Sequence, residues 1–532
     1  MKQTFRLQGK ELAVEENLVD RVIRYFDPAR ANSRFRARGL AAASTAWEGA
    51  SRSDRALKGW SKTRGDADSD TLLDLDELRA NSSDLIRNSP LGTGAIGTVV
   101  TSVVGPGFTM QSRIDRDILA HMDDETADRW EAQTEREWRL FAGSCECDLE
   151  RRLNFDQLLD LILRSQLEKG DVFVLMPSIR RPGSPYRLKL QLIEAERVSN
   201  PHRKTDSATI AGGIERDEFG AVVRYHIQDQ HPGNLLRGGR TTWQEVQAFG
   251  DKTGRRNILH AFRPLRPGQT RGVPYLAPVI RLVKQLTRYI GAEVDATVIA
   301  SFFTIFIESE SQLGAMTPTS ETGAVSGDDE VRLGPAAVVG LAPGEKATTA
   351  NPGRPNQAFD GFVVALTRLM GSALEIPYEV LVKHFTASFS ASQAALLEAW
   401  RFFKARRKTL VSTICNPIYE VWMTEAVASG RITAPGFFSD PIMRQAYLKN
   451  EWVGAPQGQI NELIGVKAAR ERRDAGFTTT AFETAQMTGG DWETNHKQSV
   501  KENNARVRDG LVEGVFVDPL DPVLMDMREE NE

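Results

Sequence analysis

A chain of 532 residues and 59.0 kDa is too long for one compact core, so several modules are expected. Its apolar share of 41% and charged share of 26% are those of an ordinary globular protein. A net charge of -4 excludes a chain that grips nucleic acid along its whole length, because such affinity grows with the phosphates neutralised.

That charge is unevenly spread. Residues 1–65 hold 14 Lys/Arg against 7 Asp/Glu, a net of +7, with few large aliphatics after Tyr25, which reads as a loosely held basic arm. The opening residues lack the apolar run of a signal peptide, and Ala296–Ile307 is shorter than the ~20 residues that span a bilayer. Three cysteines cannot build a disulfide framework. The expectation is a soluble chain made in the cytoplasm, without membrane association.

From Leu72, the spacing Leu72, Leu75, Leu78, Leu85 and Ile86 predicts a helix. The pattern resumes after Pro90 at Ile96, Val99 and Val100 and ends at Gly105-Pro106-Gly107. Amphipathic helices are expected over 124–141 and 155–167. The period then changes to two. Residues 171–177, 186–194, 212–228 and 257–264 read as strands joined by Gly, Pro and Asp turns, with a hairpin around Asp217–Gly220. These complete an α+β module ending near Gln269.

A long helix is expected from Leu276 on Val279, Ile280, Val283, Leu286, Ile290 and Val294, with Arg281, Lys284 and Arg288 on another face. Its β-branched end, Thr304–Ile307, could instead enter a strand. Residues 308–357, rich in Gly, Pro, Ser and Thr, read as a small β-rich insertion with short strands at Ala337–Leu341 and around Lys346. A return helix, Phe359–Leu374, carries Arg368. After "EIPYEV", a small-residue loop leads into a helix over Ala391–Ala428 with a kink at Asn416-Pro417. The remainder is mostly helical and fades into an acidic tail from Asp518.

Gly92, Gly94 and Gly97 match G-x-G-x-x-G, but a helix precedes them where a dinucleotide fold needs a strand; packing through small residues is the simpler reading. "APGEKATT" at 342–349 lacks the spacing of a phosphate loop. The seven histidines are scattered, and neither H-E-x-x-H nor G-x-S-x-G occurs. Cys145-Glu-Cys147 finds no further ligands at zinc spacing. No cofactor and no metal are expected.

The stretch "FTASFSASQAALLEAWRFFKARRKTL", 385–410, admits three readings: a catalytic serine loop, a nucleic-acid-binding helix, or a moving part of a larger assembly. Small residues and an N-cap at Ser390 or Ser392 explain the serines without a nucleophile. Leu396, Trp400, Phe403, Leu410, Val411 and Ile414 share one stripe, and Arg401, Lys404 and Lys408 another. Bases stack only on exposed aromatics, and these look internal.

Seven segments stand out: "LRANSSDLIRNSPLGTGAIGTVVTSVVGPG" (78–107), "LQLIEAERV" (190–198), "GGIERDEFG" (212–220), "ILHAFRPLRPGQTRGVPYLAPVI" (258–280), "LAPGEK" (341–346), "EIPYEVL" (375–381) and "SFSASQAALLEAWRFFKARR" (388–407). Together with the order of parts, they resemble the lambda-like family of phage portal proteins. "GAPQGQIN" (454–461) matches less well, because the family commonly has Asp-Pro where Asn461-Glu462 stands.

The resemblance implies an α+β, mainly helical portal fold of wing, stem, clip and crown, assembling into a ring, usually of twelve. Residues 1–65 would be the arm, 66–270 the wing, 271–307 and 358–374 the stem helices, and 308–357 the clip. Residues 375–392 would form a tunnel loop, with Lys383, His384, Phe385, Ser388, Phe389 and Ser390 at the DNA channel and Phe385 and Phe389 anchoring it. Residues 393–430 would be the long kinked wing helix, and 431–532 the C-terminal wing, crown and tail. Arg281, Lys284, Arg288 and Arg368 would serve subunit contacts or the channel lining. The implied partners are further copies, the terminase large subunit, head–tail adaptors, major capsid and scaffold proteins, and duplex DNA passing without sequence specificity. A serine hydrolase of head maturation and a sequence-independent DNA-binding structural protein are the alternatives.

Overall fold

The computed structural model describes residues 64–234, 241–301, 358–385, 388–458 and 461–511. It also describes the strand segments 2–7, 10–15, 305–309 and 345–349 and a few positions between 23 and 60. The chain divides into Met1–Asp66 and Ala67–Glu532. In the first unit β1 (Lys2–Leu7) pairs antiparallel with β2 (Lys10–Glu15), so part of the expected loose arm is a hairpin.

In the second unit, α1 (Leu75–Asn88) and α2 (Pro90–Val103) are separated by one extended residue, Ser89. A residue before proline is driven out of the helical region, and Ser89 uses that geometry to cap α2 through the Gly92 N–H. The G-x-G-x-x-G match therefore lies within α2. Only Gly92 is needed for packing: a Cβ there would stand 2.7 Å from the Leu85 carbonyl, whereas Gly94 and Gly97 face open space.

After β3 (Thr109–Ser112), α3 (Asp124–Ala142) and α4 (Phe155–Lys169), a three-stranded antiparallel sheet forms in the order β10 (Ile258–Phe262), β4 (Asp171–Leu175), β5 (Gln191–Glu194). Both faces of β4 are buried. Val172 and Val174 enter the main core, and Phe173 a second core with Ile193, Ile214, Tyr225 and Ile258. The second core roofs a four-stranded meander, β6 (Ile210–Ala211), β7 (Ile214–Arg216), β8 (Val222–Gln228) and β9 (Trp243–Gln247).

The predicted helix 276–307 is shorter than expected. A tight turn at Ala277–Val279 leads into α5 (Ile280–Ser301), and the chain then enters β11 (Ile305–Ser309), paired with β12 (Glu345–Thr349). The β-branched end chose the strand. Most of the expected clip, including Ala337–Leu341, lies outside the described residues. The return helix is α6 (Phe359–Ala373), followed by a single turn, α7 (Tyr378–Leu381).

Instead of one kinked helix there are α8 (Phe389–Leu410), a π-helical turn at Val411–Cys415, and α9 (Asn416–Ala428). Pro417 has no N–H and its ring crowds the carbonyl a turn earlier; widening that turn accommodates both. The chain continues through α10 (Pro441–Leu448), β13 (Asn450–Val453), α11 (Glu462–Asp474), α12 (Thr480–Thr488) and α13 (Trp492–Arg508). β13 pairs with the distant β3. Trp138 centres the main core, its ring 5.1–5.7 Å from those of Phe141, Phe155, Tyr419, Trp422 and Trp452, and so ties α3, α4, α9 and β13 together.

Candidate functional site

The segment from the end of α6 to the middle of α8 is fixed at its near end and through α7, where Val380 and Leu381 are buried, and is exposed at Lys383, His384, Phe385, Ser388 and Ser390. At the near end the Tyr275 hydroxyl donates to the Leu374 carbonyl, Ile376 N–H bonds Gly371 at 3.0 Å, and Arg263 pairs with Glu375 at 3.4 Å. Any side chain at Gly371 would strike the Ile376 carbonyl, 2.6 Å from its Cβ. Two non-glycine residues with left-handed backbone, Glu375 (φ 56°) and Lys383 (φ 57°), bracket α7. Each such residue costs of order 1 kcal/mol, so the surrounding contacts must hold this path.

Non-helical chain is described at Leu374–Pro377, on the near side of α7, and at Val382–Phe385 and Ser388 beyond it. Ser388 is the N-cap, accepting from Ala391 N–H at 3.4 Å, two residues before the nearer of the two serines that the sequence reading offered. Ser390 therefore belongs to the first turn of α8. Lys383, His384, Phe385, Ser388 and Ser390 are all exposed. Phe385 is 47% exposed, so it does not anchor the loop as expected. The Phe389 side chain lies outside the described residues.

α8 changes character midway. Among its described residues from Ser390 to Glu398 none is buried, whereas Ala399, Phe402, Phe403 and Leu410 are. Within that stretch Ser392 and Ala395 are partly covered, and Leu396 packs against the main core. The expected stripe is real from Phe403 onward, with Leu396, Trp400 and Val411 only half-buried. Arg401, Lys404 and Lys408 are exposed; Arg401 pairs with Glu398 and Lys404 donates to Gln486.

Two arginines of this helix do work that the sequence did not disclose. Arg407 donates to the carbonyls of Val103 (2.9 Å), Ser102 (3.2 Å) and Ala455 (3.0 Å), closing the C-terminal end of α2, and its guanidinium lies over Trp400 and Phe108. Arg406 lies over Tyr275 and Phe402.

The expected stem cations do not form one set. Arg281 and Arg288 are exposed on α5, but Lys284 reaches Asp84 of α1 at 3.3 Å, and the Arg368 guanidinium sits 5.5 Å over the Tyr378 ring. α5 and α6 meet through Tyr289, which stacks on Phe359 and meets Phe362 edge-on.

A buried ionic hub joins the sheet to the segment entering α5. Asp171 is fully buried and accepts from Arg79 Nη2 (2.7 Å), Arg271 Nε (2.6 Å) and Nη2 (3.1 Å), His260 Nε2 (3.1 Å) and Gly272 N–H (3.1 Å). Arg271 also satisfies the carbonyls of Ala195, Val198 and Gly212, each at 2.7 Å. Burial pushes the Asp171 carboxyl up, but Arg271 and Arg79 outweigh it and hold it well below the usual range. Burial brings Arg79 down to about 10 and lowers His260 more than Asp171 raises it. Gly170 and Gly272 touch backbone to backbone, with no room for a Cβ on either. No sequence pattern announces the hub, because its members come from four separate segments.

Among the described residues, no group of three or more His, Cys, Asp or Glu could hold a metal ion, and no helix is long and apolar enough to cross a membrane.

The family model for "phage portal protein, lambda family" matches residues 53–407, which include α5, α6, α7 and nearly all of α8. The chain belongs to the lambda family of phage portal proteins. Portal protein B of Escherichia phage lambda is 26% identical over 478 residues, covering 86% of this portal chain and 88% of that protein. The portal protein of Escherichia phage N15 is 25% identical over 478 residues, covering 86% and 89%. The probable portal protein of Halomonas phage phiHAP-1 is 23% identical over 398 residues, covering 73% of each. Among solved structures, one from the neck of a native gene transfer agent particle computed with C12 symmetry aligns at TM-score 0.40 and 12% identity, covering 76% of this chain and 92% of its own. As a portal protein, the chain is a structural component of the virion and its head–tail connector, with the α+β, mainly helical fold of a ring-forming subunit.

Proposed function

We propose that twelve copies of this portal chain close a ring at one vertex of the head, through which duplex DNA enters during packaging and leaves at ejection. The observation that carries the conduit reading is the thinly covered start of α8, with no buried residue described from Ser390 to Glu398, beside the exposed Lys383, His384 and Phe385. A lone body gains little from so thinly covered a helix start; a ring can use it to line its channel. One lysine and one imidazole per copy give weak, salt-screened contacts with phosphate, which a sliding surface needs. The near-neutral total charge serves the same end.

In this reading residues 66–270 form the wing, α5 and α6 the stem, and 308–357 the clip, which docks the terminase large subunit and afterwards the head–tail adaptors. Residues 431–532 meet the head interior, and assembly proceeds in the host cytoplasm with capsid and scaffold proteins. The protein performs no catalysis of its own: Ser388 is occupied as a helix cap, and the energy for packaging comes from the motor chain.

Purified protein viewed by electron microscopy should show annular particles with a hole wide enough for duplex DNA. Deleting Thr317–Asp329 should preserve the rings and abolish packaging with purified terminase. Full packaging by that deletion would overturn the clip assignment, and a chain that stays monomeric even with scaffold present would overturn the portal reading.

A further inference from the structure

We propose that the α5–α6 hairpin carries two different apolar faces, and that the Ile290/Val294 face of one copy packs on the Phe362/Leu369 face of the next. This deepens the ring reading above and rests on it. Scattered exposed aliphatics are ordinary, but these are aligned. Ile290 is 37% and Val294 56% exposed, one turn apart on α5. Phe362 is 48% and Leu369 60% exposed, two turns apart on α6, with the exposed Ala365 between them.

The two faces point away from each other. The helices run antiparallel, because Tyr289 meets Phe359 while Tyr275, just before α5, bonds Leu374 at the far end of α6. At about 100° per residue, Ile290 and Val294 lie roughly 100° and 140° round from the contact residue Tyr289. On the same reckoning Phe362 and Leu369 lie roughly 60° and 80° round from Phe359, in the opposite sense. Between antiparallel helices, opposite senses mean opposite sides of the hairpin.

A pair of unlike patches on opposite sides cannot both be buried by a two-fold dimer. They are both buried when each copy offers one face forward and the other backward, the heterologous contact that closes into a ring. Ile290 and Phe362 also stand at nearly the same height, since Tyr289 lies level with both Phe359 and Phe362.

The test uses Val294→Asp and Leu369→Asp, each in the full chain. Both positions are exposed, so the folded subunit should keep its circular dichroism and melting temperature. A variant that departs from wild type there is replaced by Val294→Lys or Leu369→Lys. Each variant alone should sediment as a monomer where the wild-type chain forms rings. An equimolar mixture should give a heterodimer and nothing larger, because each partner retains one intact face and the two faces are complementary. Rings from either variant alone would overturn the pairing while leaving the ring itself standing. A homodimer of either variant would also overturn it, since that requires a face that pairs with itself. So would a mixture that stays monomeric well above the wild-type assembly concentration. A wild-type chain that never forms rings would remove the portal reading instead.

Discussion

Replacing Asp171 with Asn should be among the most damaging single changes in the body of the subunit. The exchange keeps shape and volume and removes one negative charge from a site with two arginines. Oδ1 faces Arg79 and Arg271, and Oδ2 faces Arg271, His260 and the Gly272 N–H. Whichever way the new amide turns, its NH2 must confront donors. Breaking a buried ion pair by removing one partner costs about 3–5 kcal/mol, and two stranded guanidiniums place this case at the upper end. Equilibrium urea unfolding at neutral pH, followed by tryptophan fluorescence at matched subunit concentration, reads the loss directly. Because the folded-state pKa of Asp171 is depressed, its stabilisation is fully present above the ordinary carboxyl value of about 4. It is lost only as pH falls from there through the lower folded value. The gap between wild type and Asp171→Asn should therefore be constant in this group's contribution between pH 5 and 7 and narrow only in stronger acid. A loss under about 1 kcal/mol at pH 7 would refute the reasoning, since it would mean the hub is solvated or redundant.

Arg407→Ala should cost about 2–3 kcal/mol in the same unfolding assay, because three carbonyls lose their donor, and Arg407→Lys should recover less than half of that. Burial lowers the His260 pKa, so stability should fall as pH drops below the unfolded value of about 6.5; His260→Gln should flatten that slope in urea titrations between pH 5 and 6.5. Ser388→Ala should cost about 1 kcal/mol or less as a lost cap, and the triple Ser388, Ser390 and Ser392 alanine variant should still package DNA. Packaging lost by that triple variant despite intact rings would point to a serine with chemistry. Ser390→Pro should be tolerated in melting and assembly, because position 390 lies in the first turn of α8, where no intrahelical N–H bond is forfeited.

What the sequence determined by itself is whatever repeats locally. Apolar spacing at 3.6 located α1 to α4, and spacing at two located β4, β8 and β10, because each of those elements presents its own face to a core. Specific runs such as 258–280 and 388–407 carried the family resemblance, which the match over 53–407 supports. The serine loop was legible as small residues leading into a capped helix, but the cap was misplaced by two residues because Ser388, Ser390 and Ser392 offer equivalent hydroxyls, and only backbone geometry chooses among them. Tertiary structure alone decided the rest. β3 gives no strand signal in four residues until β13 arrives from the other end of the chain. Asp171, Arg79, His260 and Arg271 are unremarkable charges in sequence and become one buried site only when α1, β4, β10 and the approach to α5 converge. The direction of an exposed apolar residue is likewise invisible until the helix beside it is known: Tyr289 meeting Phe359 is what turns Ile290 and Phe362 to opposite sides of one hairpin. Periodicity reports how a segment meets a core, and it is silent about contacts between segments that each appear locally complete.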